Sequence, residues 1–266
     1  MNQRLISALN GYDAIERRLA HSEPAIFLDY DGTLTPIVNR PELAVLSPDM
    51  RSTLQALARR CTVAIVSGRD RSEVEELVGL NTVSYAGSHG FDIAGPGGMR
   101  WVHEAGRRAE AVLDRASKEL DDELAGIDGC LVERKQFAVA VHYRLVPEPK
   151  RPTVFATFER VASRQPGLEA TTGKMVLELR PDVQWNKGAA VLWLLEALGL
   201  DTPAIVPIFL GDDITDEDAF QVVLERGIGI LVADTQRPSH ARYSLQSPDE
   251  AREFLDRLLI TLDRRT

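Results

Sequence analysis

The sequence has little cysteine and no long apolar run. Its 266 residues include two cysteines, Cys61 and Cys130, which form no CxxC pair. This argues against a disulfide framework and favours a reducing compartment. No apolar stretch approaches the roughly 18 residues of a membrane helix, and residues 1–20 lack the apolar centre of a signal peptide. We therefore expect a cytoplasmic protein with no membrane partner.

Positive charge is also scarce. The chain carries 31 lysines and arginines against 40 acidic residues, a formal net charge of -9. Nucleic-acid-binding proteins normally carry clustered basic residues, so we expect no nucleic-acid partner. The 44% hydrophobic and 27% charged residues are typical of a globular protein with a sizeable core. The expected state is a monomer that acts on a small-molecule substrate.

Short apolar runs that end in polar residues recur in the first and last thirds of the chain. Ala25–Leu28 is followed by two aspartates, Thr62–Val66 by Ser67, and 204–210 by Gly-Asp-Asp. Patterns typical of helices lie between these predicted strands. This strand–helix–strand rhythm predicts an α/β fold with a Rossmann-like, doubly wound parallel sheet.

Helix signals accompany the strands. Ser47-Pro48-Asp49 and Ser247-Pro248-Asp249 each predict a helix start, with a capping hydroxyl before proline and an acid. Thr215 through Asp218 predicts another. A helical spacing of apolar residues predicts an amphipathic helix through the first twenty residues; these are Leu5, Leu9, Tyr12, Ile15 and Leu19.

The middle of the chain follows a different pattern. A long helix is predicted from about 104 to 124, followed by two strands at 129–134 and 137–144. Strands so close together must pair antiparallel, because parallel neighbours need a long crossover. A further helix and two short strands complete an α+β module. We therefore predict a catalytic core formed by residues 1–104 and 180–266, with an α+β cap domain inserted at 105–179.

Acidic, hydroxyl and basic groups follow the predicted strands or open a helix of the core. They are Asp29, Asp31, Ser67, Lys187, Asp212 and Asp213. The carboxyl ends of parallel strands share one edge of a sheet, so these groups are expected to converge. Two carboxylates about 4 Å apart repel by about 4 kcal/mol at an effective dielectric of 20. Mg²⁺ relieves such repulsion and prefers oxygen ligands, and no His or Cys cluster favours a softer metal.

Each group taken alone also has an ordinary structural interpretation. An aspartate after a strand is often a turn or cap residue, Ser67-Gly68-Arg69 resembles many turns, and a lysine such as Lys187 is usually solvated. The acids from Asp216 to Asp218 suit a helix start. Their joint occurrence in this order favours a functional site.

This order of motifs resembles the haloacid dehalogenase superfamily of phosphohydrolases. The resemblance implies that Asp29 is the nucleophile and that Asp31 is the general acid and later the base. It implies Mg²⁺ held by Asp29, Asp212 and the backbone carbonyl of Asp31, with Asp213 and Asp216 supporting these ligands. Ser67 and Lys187 would contact the phosphoryl group. An acid at position 31 favours phosphoryl transfer over dehalogenation, because an alkoxide leaving group needs a proton.

Further motifs resemble the trehalose-6-phosphate phosphatase family within that superfamily. They are Ser67-Gly68-Arg69, 87–90, 133–135, 142–144, 173–181 and 211–217. The resemblance implies hydrolysis of trehalose 6-phosphate, with substrate contacts from Arg69, Glu133, Lys135, Lys174 and Glu178. Carboxylates and lysines suit hydrogen bonding to a polyol. The alternative for these cap residues is a set of cross-strand ion pairs on a solvated sheet face.

Two other functions compete with this hypothesis. A phosphomannomutase-like isomerase has a similar cap but depends on a bisphosphate activator. A non-catalytic subunit that binds a sugar phosphate would not need a nucleophile beside an acid. His89, within the 87–90 motif, is interpreted as structural rather than catalytic.

Overall fold

The computed structural model describes residues 5–38, 40–173, 175–235 and 237–265. The strands are β1 (Ile6–Ser7), β2 (Glu23–Leu28), β3 (Thr62–Val66), β4 (Ser84–Gly87), β5 (Asp92–Gly95), β6 (Met99–Val102), β7 (Leu131–Lys135), β8 (Ala138–His142), β9 (Leu168–Gly173), β10 (Val176–Pro181), β11 (Ile205–Gly211), β12 (Ile228–Val232) and β13 (Tyr243–Leu245). The helices are α1 (Tyr12–Leu19), α2 (Pro48–Leu57), α3 (Arg71–Val78), α4 (Glu104–Leu124), α5 (Arg151–Ala162), α6 (Lys187–Ala197), α7 (Glu217–Val223) and α8 (Pro248–Asp263). Among the described helices, none combines the length and apolar character needed to cross a membrane.

The chain forms two compact units. One comprises Met1–Trp101 and Trp185–Thr266, and the other comprises Val102–Gln184. The first unit is α/β and the second is α+β. The fold class expected from the sequence, an α/β core with an inserted α+β domain, is confirmed.

The first unit contains a nine-stranded sheet in the order β1-β13-β12-β11-β2-β3-β4-β5-β6. Every pair from β1 to β4 is parallel. From β2 the chain proceeds to β3 and β4 on one side, whereas the later strands β11, β12 and β13 extend the other side. The strand order therefore reverses between β2 and β11. Such a reversal opens a crevice at the carboxyl ends of the strands, where ligands bind in doubly wound folds.

Side chains of β2 alternate between two apolar layers. Ile26 and Leu28 belong to a core cluster that includes residues of α2 and α8. Ala25 and Phe27 belong to a second cluster on the other face, with residues of α6 and α7. Because successive strand residues point to opposite faces, the residue after Leu28 is directed toward the α6 layer.

Several predicted element boundaries are confirmed and others are corrected. Ser47 and Ser247 cap α2 and α8, accepting hydrogen bonds from the backbone three residues on. The first helix begins only at Tyr12, because residues 6 and 7 pair with β13 at the sheet edge. The sequence prediction also omitted β5, β6 and β13, and β5 pairs antiparallel with β4. All three strands are short, and β13 in addition pairs with β1 from the other end of the chain.

The second unit is a four-stranded sheet in the order β7-β8-β10-β9, with its described pairs antiparallel. Apolar side chains from one face of this sheet pack against α4 and α5; in the strands they are Val139, Val141, Leu177 and Leu179. By alternation, the opposite face carries Glu133, Lys135 and Glu178. The register places Glu133 and Glu178 on either side of Ala140.

Candidate active site

Asp29 follows the last residue of β2 and lies at the reversal of strand order. Its backbone N–H donates to the carbonyl of Leu210 at 2.9 Å, so it is still held beside β11. The residue is only 4% exposed. Its carboxylate is therefore placed at the strand end by the sheet itself and is nearly removed from bulk water.

Lys187 is the first residue of α6 and reaches the Asp29 carboxylate. Its Nζ donates to Asp29 Oδ1 at 2.6 Å and to Asp216 Oδ1 at 2.7 Å. Asn186 caps the helix by accepting from the Ala189 N–H, which sets where α6 begins. Burial alone lowers the pKa of Lys187, but Asp216 and Asp29 outweigh it and raise that pKa. Lys187 is therefore a fixed positive charge.

Asp216 organises the loop that follows β11. Its Oδ2 accepts from the backbone N–H groups of Asp212 and Asp213, both at 2.9 Å. Asp213 in turn accepts from the Ile214 N–H, so Asp213 and Asp216 form the capping box of a short 3-10 turn before α7. The sequence placed this helix start at Thr215; Asp213 is the cap residue instead. Asp216 supports both Lys187 and the backbone that carries Asp212.

The described residues include one group of acids that could hold a metal ion, formed by Asp29, Asp212 and Asp216. Their candidate ligand atoms lie within 4.8 Å of one another. Asp29 Oδ2 is buried and has no hydrogen-bond partner in the described chain. A Cβ on Gly32 would lie 2.2 Å from Asp212 Oδ2, so the backbone after Asp31 approaches this carboxylate closely. An oxygen-only donor set with an unpaired buried oxygen fits a hard divalent cation.

The electrostatics of the metal-free cluster agree with this fit. Burial, together with the neighbouring acids, raises the pKa of Asp29 to about 7 despite Lys187. Burial and the charge of Asp29 raise the pKa of Asp212 to about 9. One lysine does not balance three clustered carboxylates, and a divalent cation would supply the missing positive charge.

The side chain of Asp31 does not join this acidic group. Both of its carboxylate oxygens accept hydrogen bonds from Arg69, from Nε and Nη2, at 2.7 Å each. The metal contact predicted for Asp31 is its backbone carbonyl, which this pairing leaves available. Ser67, at the end of β3, is buried, and its Oγ accepts from the Arg69 N–H at 3.2 Å.

The 87–90 turn holds the loop that contains Ser67 and Arg69. The N–H of His89 donates to the Ser67 carbonyl at 2.8 Å, and the N–H of Ser88 donates to the Arg69 carbonyl at 2.6 Å. Ser88 and His89 both have positive φ, of 49° and 55°. Such backbone strain in non-glycine residues is concentrated at functional sites. The flanking glycines Gly87 and Gly90 were the sequence signal for this turn.

In the second unit, each described sugar-binding candidate is paired with another side chain. Lys135 Nζ lies 2.6 Å from Glu178 Oε1, and His142 Nε2 lies 2.7 Å from Glu133 Oε2. The hydrogen bond from His142 lowers the pKa of Glu133. The sequence prediction did not include His142 among the sugar-binding residues. His142 lies two residues after Ala140 on β8, and residues two apart on a strand share a face, so the spacing could have placed it beside Glu133. Lys174 lies outside the described residues.

Most of the chain is similar to known proteins. The family model described as trehalose-phosphatase matches residues 27–249. A trehalose-phosphate phosphatase of Mycobacterium tuberculosis strain H37Rv is 46% identical over 244 residues, covering 90% of this chain and 62% of that protein. The Mycobacterium marinum protein of the same name is 44% identical over 88% of this chain and 61% of its own length. The chain thus spans less than two thirds of these relatives.

Solved structures share the fold. A trehalose-6-phosphate phosphatase related protein matches with a TM-score of 0.79 and 28% identity, covering 91% of this chain and all of the other. The C-terminal domain of the Candida albicans trehalose-6-phosphate phosphatase matches with a TM-score of 0.84, over 96% of this chain and 99% of that domain. At 23% identity, the second similarity concerns the fold alone.

Proposed function

This chain belongs to the trehalose-phosphatase family, and we propose that it hydrolyses trehalose 6-phosphate to trehalose and phosphate through a phosphoaspartate on Asp29. The observation that carries the proposal is the buried Asp29 carboxylate, with one oxygen bound to Lys187 and the other unpaired. A binding module has no need for a desolvated carboxylate at this position. A carboxylate nucleophile divides a difficult displacement into two easier steps.

In the first step, a carboxylate oxygen of Asp29 attacks phosphorus, and the bond from phosphorus to the sugar oxygen breaks. Asp31 gives its proton to that leaving oxygen. In the second step, water attacks the phosphoaspartate and passes a proton to Asp31, which releases phosphate and restores Asp29. Lys187 and the Ser67 hydroxyl stabilise the transferring phosphoryl group. All of these groups follow strands of the sheet or open α6.

We propose Mg²⁺ as the cofactor, held by Asp29, Asp212 and the backbone carbonyl of Asp31. When bound, it supplies positive charge to the transferring phosphoryl group. Asp216 and Asp213 would keep the ligand loop in place through their hydrogen bonds. The oxygen-only donor set and the raised pKa values of Asp29 and Asp212 support this assignment.

We further propose that residues 105–179 act as the cap domain that selects the sugar. Glu133, Lys135 and Glu178 would exchange their present partners for sugar hydroxyls, and Lys174 is proposed to bind the sugar as well. The side chains of Lys135 and Glu178 are 15% and 11% exposed, so they are held in place by burial and not dispersed in solvent. Buried polar groups of this kind reject a ligand that leaves them unpaired.

Phosphate release from a panel of sugar phosphates tests the proposed activity. We expect trehalose 6-phosphate to give the highest kcat/KM, by about tenfold or more over glucose 6-phosphate and mannose 6-phosphate. The reason is that the cap residues would bind both glucose units of trehalose, and a monosaccharide phosphate leaves some of them unpaired. EDTA should abolish turnover and added Mg²⁺ should restore it. Equal rates across the panel would contradict the substrate, and full activity in EDTA would contradict the metal.

Substitution of a cap residue tests the specificity role. Glu178→Gln should raise the KM for trehalose 6-phosphate roughly tenfold, because a hydrogen bond to a charged group is lost. Turnover of p-nitrophenyl phosphate, which lacks the sugar, should not change. Glu123→Gln is the matched control, since Glu123 lies in α4 of the same unit and binds Arg160. A parallel loss with both substrates would argue against a sugar contact at Glu178.

A further inference from the structure

We propose that Arg69 is a positioning residue for Asp31 and not a contact for substrate. The inference rests on the proposed function, because it assigns Arg69 a part in the proton transfers of Asp31. It replaces the substrate-binding role that the sequence resemblance implied for Arg69. Four contacts of one guanidinium group carry the argument.

The guanidinium of Arg69 is almost fully used inside the protein. Of its five N–H donors, Nε and one Nη2 hydrogen bind the two oxygens of Asp31, and the second Nη2 hydrogen binds the Pro41 carbonyl at 2.8 Å. Nη1 donates to Glu73. Within the described part of the chain, a single N–H therefore remains, which is too few for a specific clamp on a polyhydroxyl ligand.

The two side chains of the Asp31–Arg69 pair differ in their exposure to solvent. The Arg69 side chain is 8% exposed, whereas that of Asp31 is 39% exposed. A ligand entering from solvent therefore meets the carboxylate and not the guanidinium. A bidentate arginine–carboxylate pair has a defined plane and direction, so Arg69 fixes the orientation of the group that faces the reaction.

Arg69 is itself fixed from three sides. Glu73 binds it from one helical turn further along, at the start of α3, and Pro41 binds it from the loop after β2. The guanidinium carbon lies 5.4 Å from the centre of the Tyr30 ring, whose hydroxyl donates to the Ala44 carbonyl at 2.8 Å. The pair thus links Asp31 to Glu73 in α3 and to the segment that contains Pro41 and Ala44, and these contacts restrict the motion of the carboxylate.

In the second step Asp31 would accept a proton from water, and Arg69 orients its carboxylate for that transfer. During hydrolysis of the phosphoaspartate, water oxygen bonds to phosphorus, the bond from phosphorus to the Asp29 oxygen breaks, and the water proton moves to Asp31. An unfixed carboxylate performs this transfer slowly, since general base catalysis contributes about 10²–10⁴-fold and depends on geometry. Lysine in place of Arg69 keeps the charge but cannot bind both carboxylate oxygens.

The test uses p-nitrophenyl phosphate, whose nitrophenolate leaves without a proton, so that only the second step needs Asp31. For Arg69→Lys we expect kcat to fall about 10²-fold and KM to fall with it, leaving kcat/KM within about threefold. A burst of nitrophenolate should appear, and intact mass should show accumulated phosphoenzyme. Arg71→Lys is the matched control, because Arg71 binds Glu75 and Asp92 in the same way but does not touch Asp31.

A double-mutant cycle with Asp31→Asn completes the experiment. If Arg69 acts through Asp31, adding Arg69→Lys to Asp31→Asn should lower kcat no further. An additive loss, a raised KM without a burst, or an equal fall of kcat for Arg71→Lys would overturn the proposal. The outcome does not depend on trehalose 6-phosphate being the substrate. Absence of phosphoenzyme in Asp31→Asn, whose second step should be blocked, would instead contradict the proposed mechanism.

Discussion

Replacing Asp29 with asparagine is expected to abolish turnover, with kcat reduced by about 10⁴-fold or more and no phosphoenzyme formed. The amide is nearly the same size as the carboxylate but is not a nucleophile toward phosphorus. It also fits the site, because Lys187 keeps its 2.7 Å contact with Asp216. Phosphate release and intact mass after rapid quenching measure the two effects.

The fold should survive this substitution. Burial raises the pKa of Asp29 to about 7, so at pH 8 the metal-free protein carries an unfavourable charge that asparagine removes. We therefore expect the Tm of Asp29→Asn in EDTA to be equal to or higher than that of the parent. Asp49→Asn, at an exposed position in the first turn of α2, is the control. Activity within tenfold of the parent would contradict the covalent mechanism.

Replacing Asp212 with asparagine is expected to separate metal binding from stability. Activity with Mg²⁺ should fall by about 10³-fold, because a charged metal ligand is lost beside the transferring phosphoryl group. Mg²⁺ should raise the Tm of the parent by several degrees and that of Asp212→Asn by much less, since ligand binding stabilises only the state that binds. Asp249→Asn, exposed at the start of α8, should respond like the parent.

The same variant has a defined pH dependence without metal. The pKa of Asp212 is about 9 in the folded protein against an ordinary value of 3.8, so the folded state holds this proton more tightly than the unfolded state. The resulting stability is present at acid pH and is lost progressively between about pH 4 and pH 9. In EDTA, Asp212→Asn should lack this decline. A Tm that falls equally in both proteins from pH 6 to pH 9 would contradict the raised pKa.

These two substitutions probe different properties of one cluster. Asp29→Asn tests the proposed nucleophile, whereas Asp212→Asn tests the proposed metal ligand. Asp216 differs from both, since each of its carboxylate oxygens already accepts hydrogen bonds from the protein. We therefore propose Asp29 and Asp212 as the metal ligands and Asp216 as the residue that supports them.

Local sequence was sufficient for much of the fold and for the members of the site. The apolar run before Asp29 and the one before Asp212 determine buried strands that end where polar groups begin. Ser47, Asn186 and Ser247 determine helix starts, because a capping side chain satisfies backbone donors only a few residues away. The inserted module was visible from its closely spaced strands, which only antiparallel pairing accommodates.

The tertiary structure determines which of these side chains are in contact. Local pattern does not contain strand order, and it is the pairing of β2 with β11 that brings Asp29 beside the Asp212 loop. The pairing of Asp31 with Arg69 joins residues 38 positions apart, and that of Lys135 with Glu178 joins residues 43 apart. Each such contact is selected by the packing of whole elements. The candidate site residues could therefore be predicted from the sequence, while their partners could not.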